Sequence, residues 1–330
     1  MTPSNTLSLR QLEYAVAVAD ALSFRRAAEA CHVSQPSLSA QIAELEGALG
    51  ARLFERDRRR VLVTPAGRAL IDRARQVLLA ASDLVEAAKH LGDPLSGALR
   101  VGIIPTISPY LLPSVAARLR RDFPRLSLIW VEEKTDVLTQ RLQAGELDAA
   151  ILALEAEIGD VEHEVLARDP FFLVTPPGHA LTRRATAASA DELADIDVLL
   201  LDEGHCFRTQ ALGFCSRARA NELSFRATSL TTLVQMVRGG AGVTLLPALA
   251  LATEAKRAGL HVRPFASPAP ARTIALVWRK RSPLAPALRQ LASSLRESYP
   301  AVGEPAGERG PGPQRPSKRK AIAASTSRQR

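Results

Sequence analysis

The stretch Ser23-Phe24-Arg25-Arg26-Ala27-Ala28-Glu29-Ala30-Cys31-His32-Val33-Ser34-Gln35-Pro36-Ser37-Leu38-Ser39 decides the fold of the N-terminal part of the chain. Phe24, Ala27, Ala28 and Cys31 recur at i, i+3, i+4 and i+7, one face of a short helix that Ser23 can cap, so Cys31 is expected in the core. His32-Val33 leaves only a tight connection. Ser34 can cap the next helix, with Pro36 in its first turn, where a missing N–H is tolerated. Leu38, Ile42, Leu45 and Leu49 form that helix's apolar face, and Gly50 offers a stop. Two short helices joined by a tight turn, the second with small polar residues on its free face, predict a helix-turn-helix. In such a motif the N-terminal residues of the second helix reach base edges in the major groove. Ser34, Gln35, Pro36, Ser37 and Ser39 are the candidates here, with Gln41 one turn further on.

On the N-terminal side, Ser8 can cap a first helix running to about Asp20, with Leu9, Leu12 and Val16 in helical register. On the C-terminal side, Arg56, Arg58, Arg59 and Arg60 supply the long cations that the recognition helix lacks. They are candidate groove and phosphate contacts, Arg56 and Arg58 foremost, and Val61-Leu62-Val63 is a short strand completing a wing. The predicted DNA-binding unit is thus a winged helix-turn-helix over residues 1–64, its partner double-stranded promoter DNA. Thr64-Pro65 then opens a long helix over 65–92, ended by Gly92-Asp93-Pro94. Its seam of Leu70, Ala74, Val77, Ala81, Leu84 and Ala88 alternates spacings of four and three, which predicts pairing with a second subunit; packing on its own domain is the alternative.

The C-terminal region reads differently. Apolar strands at Leu99–Ile104, Leu126–Val131 and Ala149–Leu154 alternate with helices opening at Ser108-Pro109 and Thr135-Asp136. Further strands follow at Phe171–Thr175, Val198–Leu201, Val243–Leu246 and Thr273–Trp278, so parallel βαβ units are expected. Ligands in such folds sit beyond the strand ends, near helix N-termini. Thr106 and Thr135 fall at two such junctions, each being most simply a capping residue.

Gly204-His205-Cys206-Phe207-Arg208-Thr209-Gln210-Ala211-Leu212-Gly213-Phe214-Cys215 carries the distinctive chemistry. No second Cys/His pair stands at zinc-ligand spacing, and the cysteines are not a C-x-x-C pair. If residues 207–215 are helical, nine steps of about 1.5 Å put the two Cα atoms roughly 13 Å apart. A disulfide needs them within about 7 Å, so bridging requires the helix to unwind. Such a pair is a natural two-state switch. Cys206, beside His205 and Arg208 near a helix start, suits a peroxidatic thiolate, and Cys215 its resolving partner. Two ordinary buried cysteines remain the alternative on spacing alone.

Composition bounds the rest. In 330 residues there are three Cys, 46% hydrophobic residues and a formal net charge of +9. No apolar run reaches the roughly 18–20 residues of a membrane span, and no signal-peptide core opens the chain, so a cytosolic protein is expected, not a membrane protein or a disulfide scaffold. The charge is misleading in bulk. Residues 301–330 hold seven basic and two acidic side chains, more than half of the excess. Residues 303–330 read as a disordered basic tail, either a solvated extension or a phosphate-binding arm.

Phe24-Arg25-Arg26-Ala27-Ala28, Val33-Ser34-Gln35-Pro36-Ser37-Leu38-Ser39, Leu45-Glu46, Leu53-Phe54-Glu55-Arg56 and Thr64-Pro65-Ala66-Gly67 resemble the LysR-type transcriptional regulators in order and spacing. That resemblance implies a winged helix-turn-helix, a dimerising linker helix and, over 93–302, an α/β effector domain like a periplasmic binding protein. Its lobe I would span about 97–168 and 272–302, and its lobe II about 169–271. Leu201–Cys206, Cys215, Phe225–Leu230, Thr244–Ala248, Ile104-Pro105-Thr106, Tyr110–Pro113 and Arg272-Thr273-Ile274 are similar to the hydrogen-peroxide-sensing members. By that similarity Thr106 and Thr135 hold the peroxide, His205 favours the Cys206 thiolate and Arg272 steadies the site, with no cofactor and no metal. It further implies a homotetrameric activator that works with RNA polymerase. Phe207 and Thr209 depart from the pattern, standing where an aliphatic and an acidic residue are expected. A metabolite-responsive regulator with incidental cysteines, and a thiol peroxidase enzyme, are the competing readings. The helix-turn-helix argues against the enzyme.

Overall fold

The computed structural model describes residues 7–56, 60–89, 95–183 and 186–300. Arg58 and Arg59, the Gly92–Pro94 stop and the 303–330 tail lie outside the described residues. Three helices, α1 (Leu9–Ala21), α2 (Phe24–Ala30) and α3 (Gln35–Leu49), each begin on a serine whose hydroxyl accepts a backbone N–H two or three residues into the helix. At α1 the exchange is reciprocal, since the Gln11 side chain accepts the Ser8 N–H. His32, with φ 54°, makes the sharp turn between α2 and α3, and Gly50 ends α3 in the left-handed conformation. Leu12, Val18, Ala27, Leu38, Ile42 and Leu45 bury the shared core. Cys31 does not join it fully: it caps the C-terminal end of α2 and stays half-buried at the core's edge.

The wing is β1 (Phe54–Arg56) and β2 (Val61–Val63), an antiparallel pair. One oxygen of Glu46 on α3 accepts the N–H groups of Leu53 and Phe54 at 2.7 and 3.1 Å, fixing the wing to the recognition helix. Thr64 then does two jobs. Its hydroxyl donates to the Arg52 carbonyl at 2.7 Å and accepts the Gly67 N–H at 2.8 Å, starting α4 (Pro65–Lys89). A Cβ on Gly67 would stand 2.2 Å from the Leu53 carbonyl oxygen, so only glycine fits where the helix passes under the wing. The apolar surface of α4 is divided. Ile71 and Ala74 are buried against the helix-turn-helix, whereas Val77, Leu84 and Val85 are 48, 72 and 53% exposed.

The effector domain follows with β3 (Gly97–Ile103), α5 (Ser108–Asp122), β4 (Leu126–Glu132), α6 (Thr135–Gln143) and β5 (Ala149–Ala153). Here β3 is parallel to both β4 and β5, as βαβ units require. The rest corrects the all-parallel expectation. The strand at Phe171–Thr175 is the end of a 15-residue strand, β6 (Val161–Thr175). After it come β7 (Asp197–Leu201), α7 (Cys206–Arg217), β8 (Asn221–Ala227), α8 (Leu230–Arg238) and β9 (Thr244–Pro247). The chain continues through α9 (Ala248–Leu251), α10 (Ala255–Ala258), β10 (His261–Pro264), β11 (Ala271–Arg279) and α11 (Ala285–Glu297). β11 runs antiparallel to β5 and to the first part of β6, while the end of β6 is antiparallel to β9 and β10. Among the described residues, β7 and β8 add the one further parallel strand pair.

β6 is therefore shared. Its first part belongs with β3, β4, β5 and β11 in lobe I; its last five residues carry β9 and β10, and β9 meets β7, in lobe II. Strands β8 and β10 escape the sequence pattern because their exposed residues break the apolar run. The linker helix α4 rests on lobe I: Asp83 pairs with Arg279 at 2.8 Å, and Leu79 packs on Gly145. Arg279 also donates to the Leu142 and Leu147 carbonyls, which fastens the end of α6 to the same point.

Candidate functional site

Thr106, Thr135, His205 and Cys206 meet at one narrow, partly open cleft, lined also by Ile104, Pro105 and Lys134. Lobe I contributes Thr106 from the turn after β3 and Thr135 as the first residue of α6; lobe II contributes His205 and Cys206 at the start of α7. Neither threonine is a helix cap, since Ile107 and Lys134 occupy those positions.

Arg272, fully buried at the start of β11, stands behind the cleft. Its Nη1 donates to Thr106 Oγ1 at 2.7 Å, its Nη2 to the Thr106 carbonyl at 3.1 Å, and its Nε to Asp169 Oδ2 at 3.0 Å. Asp169, on β6, accepts the Leu249 N–H with its other oxygen at 3.0 Å. The buried pair is therefore matched in charge and hydrogen-bonded on both sides, the condition under which burial of two ions is tolerable. With a cation donating to its oxygen, Thr106 keeps its own O–H free to donate to an acceptor in the cleft. Asp169 had no signal in the sequence: it precedes a proline in a strand, with no motif around it.

Two buried polar atoms here have no partner in the protein: Thr135 Oγ1 and His205 Nε2. Buried donors and acceptors are nearly always paired, so both point to a small polar ligand. Burial pushes the His205 pKa below its usual 6.5, and the Lys134 ammonium pushes it the same way against the opposing pull of Asp202 and Asp136. The imidazole thus favours its uncharged form and offers the cleft a hydrogen bond, while among the described lining residues the cation is Lys134, which sequence reasoning passed over although it adjoins Thr135.

Cys206 and Cys215 are both free and buried, nine residues apart on one continuous helix, so the rise of about 1.5 Å per residue holds them roughly 13 Å apart. Cys206 occupies the positive end of the helix dipole, which favours an anion. Cys215 sits at the other end, where burial first and Glu222 second push its pKa up to about 12. Arg208 does not face Cys206 as a supporting cation. It donates to the Leu201 carbonyl at 3.1 Å and to Glu222 at 2.6 Å, anchoring α7 to β7 and β8. The atypical Phe207 is explained: it stacks edge-on to Phe171 with centroids 5.0 Å apart and lies 5.8 Å from the Arg272 guanidinium. Thr209 is exposed to solvent. Midway along α7, both amide atoms of Gln210 are buried without partners.

At the other end of the molecule, Ser34, Gln35, Pro36 and Ser37 are exposed on the first turn of α3, and Ser39 is half-buried beneath them. The Ser34 hydroxyl is engaged in capping. Arg56 lies on β1 of the wing and Arg60 is exposed just before β2.

This pairing of a winged helix-turn-helix with a two-lobed effector domain defines the LysR-type transcriptional regulators, and the chain belongs to that family. Residues 9–68 match the bacterial regulatory helix-turn-helix protein, lysR family, and residues 92–300 match the LysR substrate binding domain. Within the family the chain is similar to OxyR. A hydrogen peroxide-inducible genes activator of Pectobacterium carotovorum subsp. carotovorum is 46% identical over 292 residues, 88% of this chain and 96% of the relative. Full-length OxyR of Pseudomonas aeruginosa with a cysteine-to-aspartate substitution superposes with a TM-score of 0.69 at 38% identity, covering 88% of this chain and 95% of that one. A hydrogen-peroxide-bound cysteine-to-serine mutant of Corynebacterium glutamicum OxyR gives 0.61 at 37% identity, covering 88% and 92%. The chain carries the DNA-binding domain of its family, and no helix among the described residues is long and apolar enough to cross a membrane.

Proposed function

We propose that this chain is switched by a reversible Cys206–Cys215 disulfide and controls antioxidant genes. The observation that carries the reading is the convergence of two partnerless buried polar atoms, Thr135 Oγ1 and His205 Nε2, on the cleft that holds Cys206 at a helix N-terminus. Peroxide bound there donates and accepts hydrogen bonds with Thr106, Thr135 and His205. The Cys206 thiolate attacks one peroxide oxygen, the O–O bond breaks, and hydroxide leaves and takes up a proton to become water. Cys206 is then a sulfenic acid. Attack by Cys215 sulfur on Cys206 sulfur forms the disulfide and releases a second water. Peroxide is reduced by two electrons and the thiol pair is oxidised by two.

Because α7 holds the thiols apart, oxidation remodels lobe II. The exposed Val77, Leu84 and Val85 of α4 support a homodimer through the linker helix. We place the protein in the cytosol as a tetramer on promoter DNA, acting with RNA polymerase as a regulator and not as an enzyme. Ser34, Gln35, Pro36, Ser37 and Ser39 face the major groove, with Arg56 and Arg58 on phosphate or groove edges. The test is intact mass after a few equivalents of peroxide. A loss of two hydrogens mapping to Cys206–Cys215, absent in Cys206→Ser, is expected, together with altered operator binding. Operator binding indifferent to peroxide overturns the reading.

A further inference from the structure

Lys134 reaches across the gap between the lobes. It is the N-cap residue of α6 in lobe I, next to Thr135, yet its Nζ donates to the carbonyl of Glu203 in lobe II at 2.7 Å. The same ammonium stands 3.9 Å from the Asp202 carboxylate. Its stem lies over Gly204, where a Cβ would be 2.9 Å from Lys134 Cδ; with φ +84° as well, a side chain there would be strained and would press on the lysine stem. Residues 202–204 lead directly into His205 and Cys206. From the far side Arg226 of β8 holds the same loop, 2.6 Å from Glu203 and 3.9 Å from Asp202. The loop in front of the candidate thiol is therefore gripped by two cations, one from each lobe.

These contacts belong to the dithiol arrangement. For a disulfide the two Cα atoms must close from roughly 13 Å to within about 7 Å, so the start of α7 and the loop feeding it have to leave their places. A contact made only in the reduced form stabilises that form and makes the couple more oxidising. The Arg226 grip lies within lobe II and can travel with the loop. The Lys134 grip comes from lobe I and must break if the loop moves away from that lobe.

We propose that Lys134 is a positioning residue for the peroxide switch: by strapping the Cys206 loop to lobe I, it sets how readily the Cys206–Cys215 disulfide forms. The inference rests on the disulfide reading above. Lys134 gives a charge-assisted hydrogen bond to a backbone carbonyl, which no change of the Glu203 side chain can remove. Near the strap stand Asp202, Asp136 and His205. Burial first, and the Lys134 cation second, oppose protonation of His205.

The test equilibrates full-length protein with mixtures of reduced and oxidised dithiothreitol. Two protein thiols pass two electrons and two protons to the oxidised reagent, and the dithiol fraction is read by alkylation and mass. Lys134→Met is expected to raise the equilibrium constant for disulfide formation about tenfold, a midpoint about 30 mV more negative for this two-electron couple. Lys134→Arg, which keeps charge and donor, is expected to stay within threefold of wild type, and Lys134→Gln to fall between. As a second measurement, Lys134→Met should lower the melting temperature of the reduced protein and leave that of the oxidised protein in place. A wild type that forms the disulfide normally while Lys134→Met matches it within twofold, or shifts the other way, overturns this inference alone. A wild type that forms no Cys206–Cys215 disulfide overturns the switch reading and this inference with it.

Discussion

The two ends of α7 place the same side chain in opposite surroundings. Cys206 lies at the helix N-terminus on a cleft with unused polar atoms; Cys215 lies at the far end with its pKa raised to about 12 beside Glu222. The first environment suits a thiol that meets a small polar oxidant. The second suits a thiol that stays protonated and unreactive until its partner has been activated. Chemistry alone could exchange two cysteines; their positions on one helix cannot be exchanged.

The sharpest way to break this contrast is to remove each sulfur in turn. Cys206→Ser should abolish peroxide-driven disulfide formation entirely, whereas Cys215→Ser should stop at a Cys206 sulfenic acid that dimedone traps; equal labelling of both variants would erase the asymmetry. Next in size, Thr106→Val removes the hydroxyl held by Arg272, and stopped-flow oxidation of Cys206 should slow roughly a hundredfold, as for loss of one preorganised donor. An unchanged rate would take Thr106 out of the peroxide site. Gln210→Met replaces a buried, unpartnered amide midway along α7 and should stabilise the reduced protein by about 1 kcal/mol in urea unfolding. Glu222→Gln removes a charge that holds the Cys215 proton, so alkylation of Cys215 in Cys206→Ser should reach half-maximal rate at a lower pH, with the burial effect left in place.

The smallest effect concerns His205. Its folded pKa is below the usual 6.5, so the unfolded chain binds the proton first. Its contribution to stability is present above about pH 6.5 and is lost as pH falls through the folded value. Histidine proton chemical shifts should titrate below 6.5 in wild type and move upward in Lys134→Met.

The DNA-binding end was legible almost residue by residue, because its rules are local. Serines at 8, 23 and 34, the apolar spacing of α3 and the Thr64-Pro65 start each act within one or two helical turns. The sensing end was legible only where a motif ran along the chain, from Gly204 to Cys215. Thr106, Thr135 and Arg272 could be placed together by family resemblance but not by spacing, since they lie on different elements joined by tertiary packing. Asp169 and Lys134 act through contacts with residues 103 and 69 positions away, and nothing local marks them. The mixed sheet escaped notice for a related reason: strand direction depends on which strands meet, and a 15-residue strand serving two lobes resembles an ordinary short one wherever only its last part is apolar.

The docking of α4 has a mechanical consequence. Asp83 on Arg279 and Leu79 on Gly145 bolt the linker helix to lobe I, while the thiols ride on lobe II. Taken with lobe I, the helix that carries the DNA-reading head is one arm of a lever, and the sulfur chemistry takes place on the other arm. The fulcrum is the stretch where β6 changes partners, close to the Asp169–Arg272 pair. On the proposed switch, motion beginning at Cys206 would reach the recognition helix by rotation about that fulcrum, and the stiffness of a few buried residues there would set how much of a bond made in one lobe is felt at the DNA.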